Sequence, residues 1–351
     1  MQNLDSVKEY LGNLDSFNQR SIFSFLEEIM VLNSNAFEIT TEVKENRFSK
    51  GKVCPHCKST DVSRDGKHEG KQRYVCKSCK RTFSDLTNSP RCNSNKDVSL
   101  WIKYANCMIN GYSIRKCAEI VGISIPTSFY WRHKLLDALK AYMDVGNVGG
   151  VVEVDESFFR ESFKGNHNKS SNFTMPRKPN KRGGVRSNKA EKRKRGISND
   201  QVCVLTALDR TGNIIIELIC KGRMKHTDLE RLFKGRVSEN SIFCTDSHKS
   251  YIKFAQNSGI ELQRIKTGQH KQGIYHIQHT NAMHSKLKEW MYKFHSVATK
   301  YLANYMCWFK WLQLFNAEKD TVKVKDLLIQ SHTAYSYTKL NDFKTREAIY
   351  I

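Results

Sequence analysis

The chain has no apolar run near the roughly 20 residues that a membrane span requires. Its start, Met1-Gln2-Asn3-Leu4-Asp5, has neither the basic nor the apolar region of a signal peptide. Both absences predict a cytoplasmic protein. Acidic residues are also scarce, 35 Asp and Glu against 58 Lys and Arg, for a formal net charge of +23. A long basic amphipathic helix is missing too, so the excess points away from a membrane surface and toward nucleic acid, whose counterion release rewards basic proteins. Disulfides are not expected in a reducing compartment, although the chain has 11 cysteines. Four of them form a spaced motif, and Cys92, Cys107, Cys117, Cys203, Cys220, Cys244 and Cys307 are expected as scattered small core residues.

What is present divides the 351 residues into five segments. Residues 1–48 form an N-terminal helical segment, with Leu4, Val7, Leu11, Leu14, Phe17, Ile22, Phe23, Leu26, Ile29 and Met30 spaced for two short amphipathic helices. Residues 49–92 carry the paired cysteines and too few aliphatics to fold on apolar burial alone. Residues 93–146 return to helical periodicity, and Ser113 to Ser124 has the length and central Gly122 of a helix-turn-helix, its second helix starting near Pro126 or Thr127. Residues 147–320 form an α/β unit, and 321–351 a C-terminal tail. The fold class is thus α+β and multidomain.

Cys54-Pro55-His56-Cys57 and Cys76-Lys77-Ser78-Cys79 stand 18 residues apart. This is the spacing of a zinc ribbon, in which two knuckles bring four thiolates into a tetrahedron around a structural Zn²⁺. His56 is superfluous once four cysteines fill the shell. A ribbon beside a helix-turn-helix makes DNA the expected partner, with Arg115, Lys116, Ser128, Tyr130, Arg132, His133 and Lys134 as candidate contacts.

From Gly149 the pattern is of strands, Val151 to Phe159, Val202 to Leu208 and Asn213 to Cys220, with Asp209 to Asn213 as a hairpin turn. A helix from Asp228 to Val237 and a strand from Ile242 to Thr245 complete a βββαβ order, followed by helices. Between the first two strands, Arg160 to Asn199 holds 13 Lys or Arg and two Glu and is expected as a mobile basic loop whose Lys192, Arg193, Lys194 and Arg195 track DNA backbone. The aromatic stretch Val297 to Phe315 is expected as a helix buried against the sheet.

Asp155 and Asp246 each close an apolar strand, where strand alternation puts Glu153, Asp155 and Ser157 on the face opposite Val152 and Val154. If the strands are neighbours, the two carboxylates can share divalent metal. On the helix that follows, Asn281, His284 and Lys288 share one face. Taken singly, each of these residues has an ordinary reading as a strand cap or a solvated helix position.

Val154-Asp155-Glu156-Ser157-Phe158-Phe159, Cys244-Thr245-Asp246 with Tyr251, and Asn281 through Trp290 resemble the bacterial insertion-sequence transposases with a ribonuclease-H-like, DDE-type catalytic domain, in the group carrying an N-terminal zinc ribbon. The resemblance covers about residues 50–315 and implies a DDNK variant of the site. Asp155 and Asp246 would bind two Mg²⁺ or Mn²⁺ ions, Asn281 would take the third position where many relatives have Glu, and Lys288 would contact DNA. It further implies a nucleoid-associated bacterial protein that binds terminal inverted repeats as at least a dimer, cleaves DNA strands and transfers them to target DNA. A same-fold nuclease that does not join strands, and a regulator with an inactive catalytic domain, are the competing readings.

Overall fold

The computed structural model describes residues 4–68, 70–166, 173–176, 196–266, 268–269 and 271–351. Two helices open the chain, α1 (Leu4–Gly12) and α2 (Ser16–Phe48). The second is one 33-residue helix rather than the short element that the apolar spacing suggests. Neither Gly nor Pro occurs between Ser16 and Phe48 to stop it, and Asp15 caps its start by accepting from the amides of Phe17 and Asn18. Its far end buries Ile39 and Val43 against the helical core.

The ribbon follows as the antiparallel strands β1 (Val62–His68), β2 (Lys71–Cys76) and β3 (Thr82–Ser84). Arg47 of α2 clamps it, donating to the carbonyls of Asp85 and, at 2.8 Å, Thr87. Three helices come next, α3 (Val98–Ile109), α4 (Ile114–Val121) and α5 (Ile125–Met143). The α4–α5 turn is as expected, with Gly122 at φ 70° ending α4 and Ser124 capping α5 by accepting from the Thr127 amide.

Five strands form the second sheet, β4 (Val151–Arg160), β5 (Gln201–Asp209), β6 (Ile214–Lys221), β7 (Ile242–Thr245) and β8 (Glu261–Arg264), with α6 (His226–Phe233) before β7 and α7 (Lys249–Ser258) after it. Their spatial order is β6-β5-β4-β7-β8, with β4 antiparallel to β5, β5 antiparallel to β6, and β7 parallel to both β4 and β8. This topology is ribonuclease-H-like. The βββαβ order is present as read, but α7 and β8 extend it, and α6 ends at Phe233 short of Val237.

Alternation along the strands sorts the two faces. Val152, Val154, Cys203, Leu205 and Ala207 pack under α6 and α7 with Leu229, Phe233 and Phe254. Val202, Val204, Ile216 and Leu218 pack under the helices α8 (Gln278–Tyr292) and α9 (Thr299–Leu314). The aromatic stretch is buried as expected, with Tyr301, Tyr305, Trp308, Phe309 and Trp311 all inside.

Residues 321–351 are not a tail. Helix α10 (Asp320–Thr333) packs against α2, α3 and α5, and α11 (Leu340–Thr345) buries Phe343. Arg346 then pairs twice with Asp137 of α5, at 3.0 and 2.6 Å. Helices α2, α3, α5, α9 and α10 share one core with the sheet, so the boundary placed at residue 146 cuts through a single packing unit. Among the described residues no helix is long and apolar enough to cross a membrane.

Candidate active site and metal centres

The four ribbon cysteines converge. Cys54 Sγ lies 3.7 Å from Cys79 Sγ and Cys57 Sγ 3.5 Å from Cys76 Sγ, and all four sulfurs fall within 4.8 Å of one another. Thiolates at about 2.3 Å from one tetrahedral Zn²⁺ would be spaced similarly. Amides of His56 and Cys79 point at Cys54 Sγ and Cys76 Sγ, and such donors stabilise thiolate charge. Lys58 and Lys80 take φ of 65° and 58°, which closes each knuckle. The His56 ring turns away, to the Thr82 carbonyl.

On the sheet, β4 and β7 pair in parallel with Val152 opposite Phe243 and Glu153 opposite Cys244. Two residues further on stand Asp155, midway along β4, and Asp246, just past the end of β7, so the register sets the two carboxylates level with each other. Burial, then Glu156 and Asp246, push the Asp155 carboxyl up to about 7, against a partial offset from Lys288. Glu156 points to the opposite face, where it accepts a 2.6 Å bond from the buried Tyr251 hydroxyl of α7. Asp246 is held by the His248 amide, 3.0 Å from its Oδ1.

Helix α8 crosses the Asp155 face. His284 is one of its buried residues at 6% exposure, and its Nδ1 lies 3.5 Å from Asp155 Oδ2. Burial first, then Lys288, push this imidazole down to about 4, so it is neutral near pH 7. Asn281 and Lys288 lie one turn to either side and are exposed. The fold therefore gathers Asp155, Asp246, His284 and Lys288, with Asn281 at the rim.

Sequence reasoning overlooked the residue that sets the position of α8. Ile277 gives that helix no side-chain cap. Glu153, 1% exposed on β4, supplies one from outside by accepting from the amides of His279 at 2.9 Å and Thr280 at 3.2 Å. Arg210 Nη2 is 3.1 Å from Glu153 Oε1, while Arg210 Nη1 lies 2.9 Å from His279 Nδ1 and 3.2 Å from His276 Nε2. Glu153, His276 and His279 are ligating types set close together, but the Arg210 guanidinium already occupies the cation's place. The signal available in sequence was Glu153 sharing the Asp155 face. Replacing Glu153 by Ala removes the carboxylate from Arg210 and the acceptor from two helix amides, and should cost about 2–4 kcal/mol in denaturant unfolding. Glu153→Gln, which keeps an acceptor, should cost less, and equal stability of all three proteins would refute this anchoring role.

Several expected DNA contacts are corrected. Ser128, Arg132 and His133 are buried: Ser128 donates to the Ile114 carbonyl, and Arg132 donates to the Tyr112 carbonyl at 2.6 Å and sits over the Trp308 ring. His133 stacks on Tyr301 at 4.0 Å, and burial holds its imidazole well below its ordinary value. Ser128 thus ties α5 to α4, and Arg132 and His133 tie it to α9, because helical spacing faces them inward. Arg115 and Lys116 are exposed at the start of α4, and Lys134 lies over the Tyr337 ring. Lys192, Arg193, Lys194 and Arg195 lie outside the described residues.

Residues 147–312 match the model of the ISXO2-like transposase domain. Over these residues the chain is similar to an insertion-sequence transposase domain. The matched span holds both aspartates and all of α8. An uncharacterized protein in transposable element ISH50 of Halobacterium salinarum is 24% identical over 265 residues, covering 74% of this chain and 84% of that protein. A crystal structure of a pre-cleavage Mos1 transpososome aligns with 67% of this chain and 79% of that chain at 11% identity, but its TM-score of 0.19 is too low to carry an argument. Outside the transposase domain, the ribbon has the ligand set of a metal centre.

Proposed function

We propose that this protein is the DNA transposase of an insertion sequence, binding the terminal inverted repeats of its element, cleaving a strand and joining the freed 3′-hydroxyl to target DNA. The observation that carries the proposal is the juxtaposition of Asp155, midway along β4, and Asp246, just past the end of β7, within the residues that match a transposase domain model. The donor set fits a divalent cation: two carboxylates crowd together, and a neutral, buried imidazole faces one of them. A bound divalent ion would supply charge neutralisation at the scissile phosphate and an activated nucleophile.

In this reading Asp155 and Asp246 hold the cation, and α8 supplies the remaining ligand from the face shared by Asn281 and His284. Lys288, exposed beside Asp155, steers a phosphate oxygen toward the carboxylates. Arg115, Lys116 and the net charge of +23 favour DNA backbone contact, and pairing two element ends calls for at least a dimer. The test is incubation with DNA carrying the element's ends and Mg²⁺ or Mn²⁺. Cleaved ends followed by joined products support transposition, cleavage without joining indicates a nuclease, and binding alone indicates a regulator.

The Asp155 shift sets a pH dependence. Its folded pKa is raised, so its contribution to stability is full below the ordinary carboxylate range near 4 and is lost as pH rises through about 7. Cation binding needs the ionised form, so affinity should rise about tenfold per pH unit up to about 7 and then level off. Calorimetric titration between pH 5.5 and about 8 measures this, and a flat profile would contradict it.

A further inference from the structure

Resting on the metal-dependent reading above, we propose that the third protein ligand beside Asp155 and Asp246 is the imidazole of His284, and that the site therefore takes Mn²⁺ or a later first-row divalent ion in preference to Mg²⁺.

The geometry singles out His284. Its Nδ1 stands 3.5 Å from Asp155 Oδ2, longer than an ordinary N–H···O hydrogen bond. Two ligand atoms that are each about 2.1 Å from one ion stand about 3.0–3.5 Å apart. The side chain is 94% buried, being 6% exposed, and its Nε2 has no hydrogen-bond partner. The hydroxyls of Ser157, two residues along β4 from Asp155, and Thr206, its cross-strand partner on β5, are likewise buried and unpartnered. These polar groups on the Asp155 face have no partner in the protein, as expected of the lining of a site that takes a hydrated cation.

Position is fixed from the other end of the helix. Glu153 binds the first amides of α8, which sets the height of the helix on the sheet and brings the ring of His284 to Asp155. Asn281 lies a turn nearer that end and is exposed. The consequence for the ion follows from ligand chemistry. Mg²⁺ keeps to oxygen ligands and sheds water reluctantly, whereas an imidazole nitrogen gains affinity along the first-row series.

The test uses the full-length protein with its ribbon loaded with zinc. Mn²⁺ is titrated and the free ion read by electron paramagnetic resonance, with Mg²⁺ binding obtained by competition. His284→Ala should weaken Mn²⁺ binding about tenfold or more and Mg²⁺ binding less than about threefold, while Asn281→Ala leaves both nearly unchanged. Unchanged Mn²⁺ affinity in His284→Ala, with a loss in Asn281→Ala, would overturn the assignment and make Asn281 the ligand. Asp155→Asn separates the two levels. If it too leaves binding unchanged, the ion is not at this site and the metal-dependent reading fails. If it abolishes binding while His284→Ala does not, only the ligand assignment fails. Should His284→Ala not fold, pulsed resonance of Mn²⁺ on the wild-type protein decides the matter, because a directly bound imidazole gives a nitrogen coupling and its absence overturns the proposal.

Discussion

Asp155→Asn is expected to lower metal-dependent DNA cleavage by on the order of 10³-fold, well beyond the roughly 10–100-fold lost with a residue that merely supports a ligand. The amide is close to isosteric, so the loss would come from charge. Asp155 sits on the central strand, where burial, Glu156 and Asp246 already oppose its ionisation. A cation relieves that crowding, and the neutral amide removes one of the two carboxylates that attract it. The same crowding predicts an opposite effect on the metal-free fold. Removing a carboxylate from beside two others should leave the melting temperature unchanged or raise it, as when a functional site holds strained charge. Cleavage is measured on a labelled end fragment and folding by thermal melting. Cleavage within about tenfold of wild type would sink the catalytic assignment.

Removing zinc should have the largest effect on folding. The apolar cluster of the ribbon holds Cys54, Tyr74, Cys76 and Phe83, with Phe48, Val62 and Cys79 packed around them. Two of the four buried members of that cluster belong to the cysteine set, and what remains is a core too small to hold three strands. Structural zinc sites have apparent binding free energies of about 10–16 kcal/mol, which here would be folding free energy of the ribbon. Chelation, or Cys76→Ser, should therefore unfold residues 49–92 and weaken binding to element ends. The second sheet is packed on both faces by cores that hold none of the ribbon residues, and it should stay folded. Hydrogen exchange read by mass spectrometry distinguishes the two regions. Unchanged protection of β1 to β3 after verified zinc removal would refute the structural role.

Much was legible because it is local. The cysteine spacing, the Gly122 turn with its Ser124 cap, and the Asp209 hairpin each follow from a few adjacent residues whose chemistry permits one geometry. The four apolar strands were legible from alternation and β-branched runs. Strand β8 was not, because Glu261-Leu262-Gln263-Arg264 is a polar edge strand held by its register with β7 rather than by its own pattern. Helix periodicity over α5 was visible, but which side faced inward was not. Ser128, Arg132 and His133 were expected on the DNA side and are buried against neighbouring helices.

For the candidate site the division is similar. The sequence by itself determined that Asp155 and Asp246 each follow a short apolar run, although β4 continues past Asp155 to Arg160, and that Asn281, His284 and Lys288 share a helix face, because strand and helix periods are fixed by backbone geometry. Only the tertiary structure decided that the two strands are neighbours in register, and that Glu153 anchors α8 so that His284, rather than Asn281, meets Asp155. Those facts depend on contacts between residues far apart in the chain, such as Val152 with Phe243 and Glu153 with His279, and no local period encodes which distant backbone amide a buried carboxylate will cap.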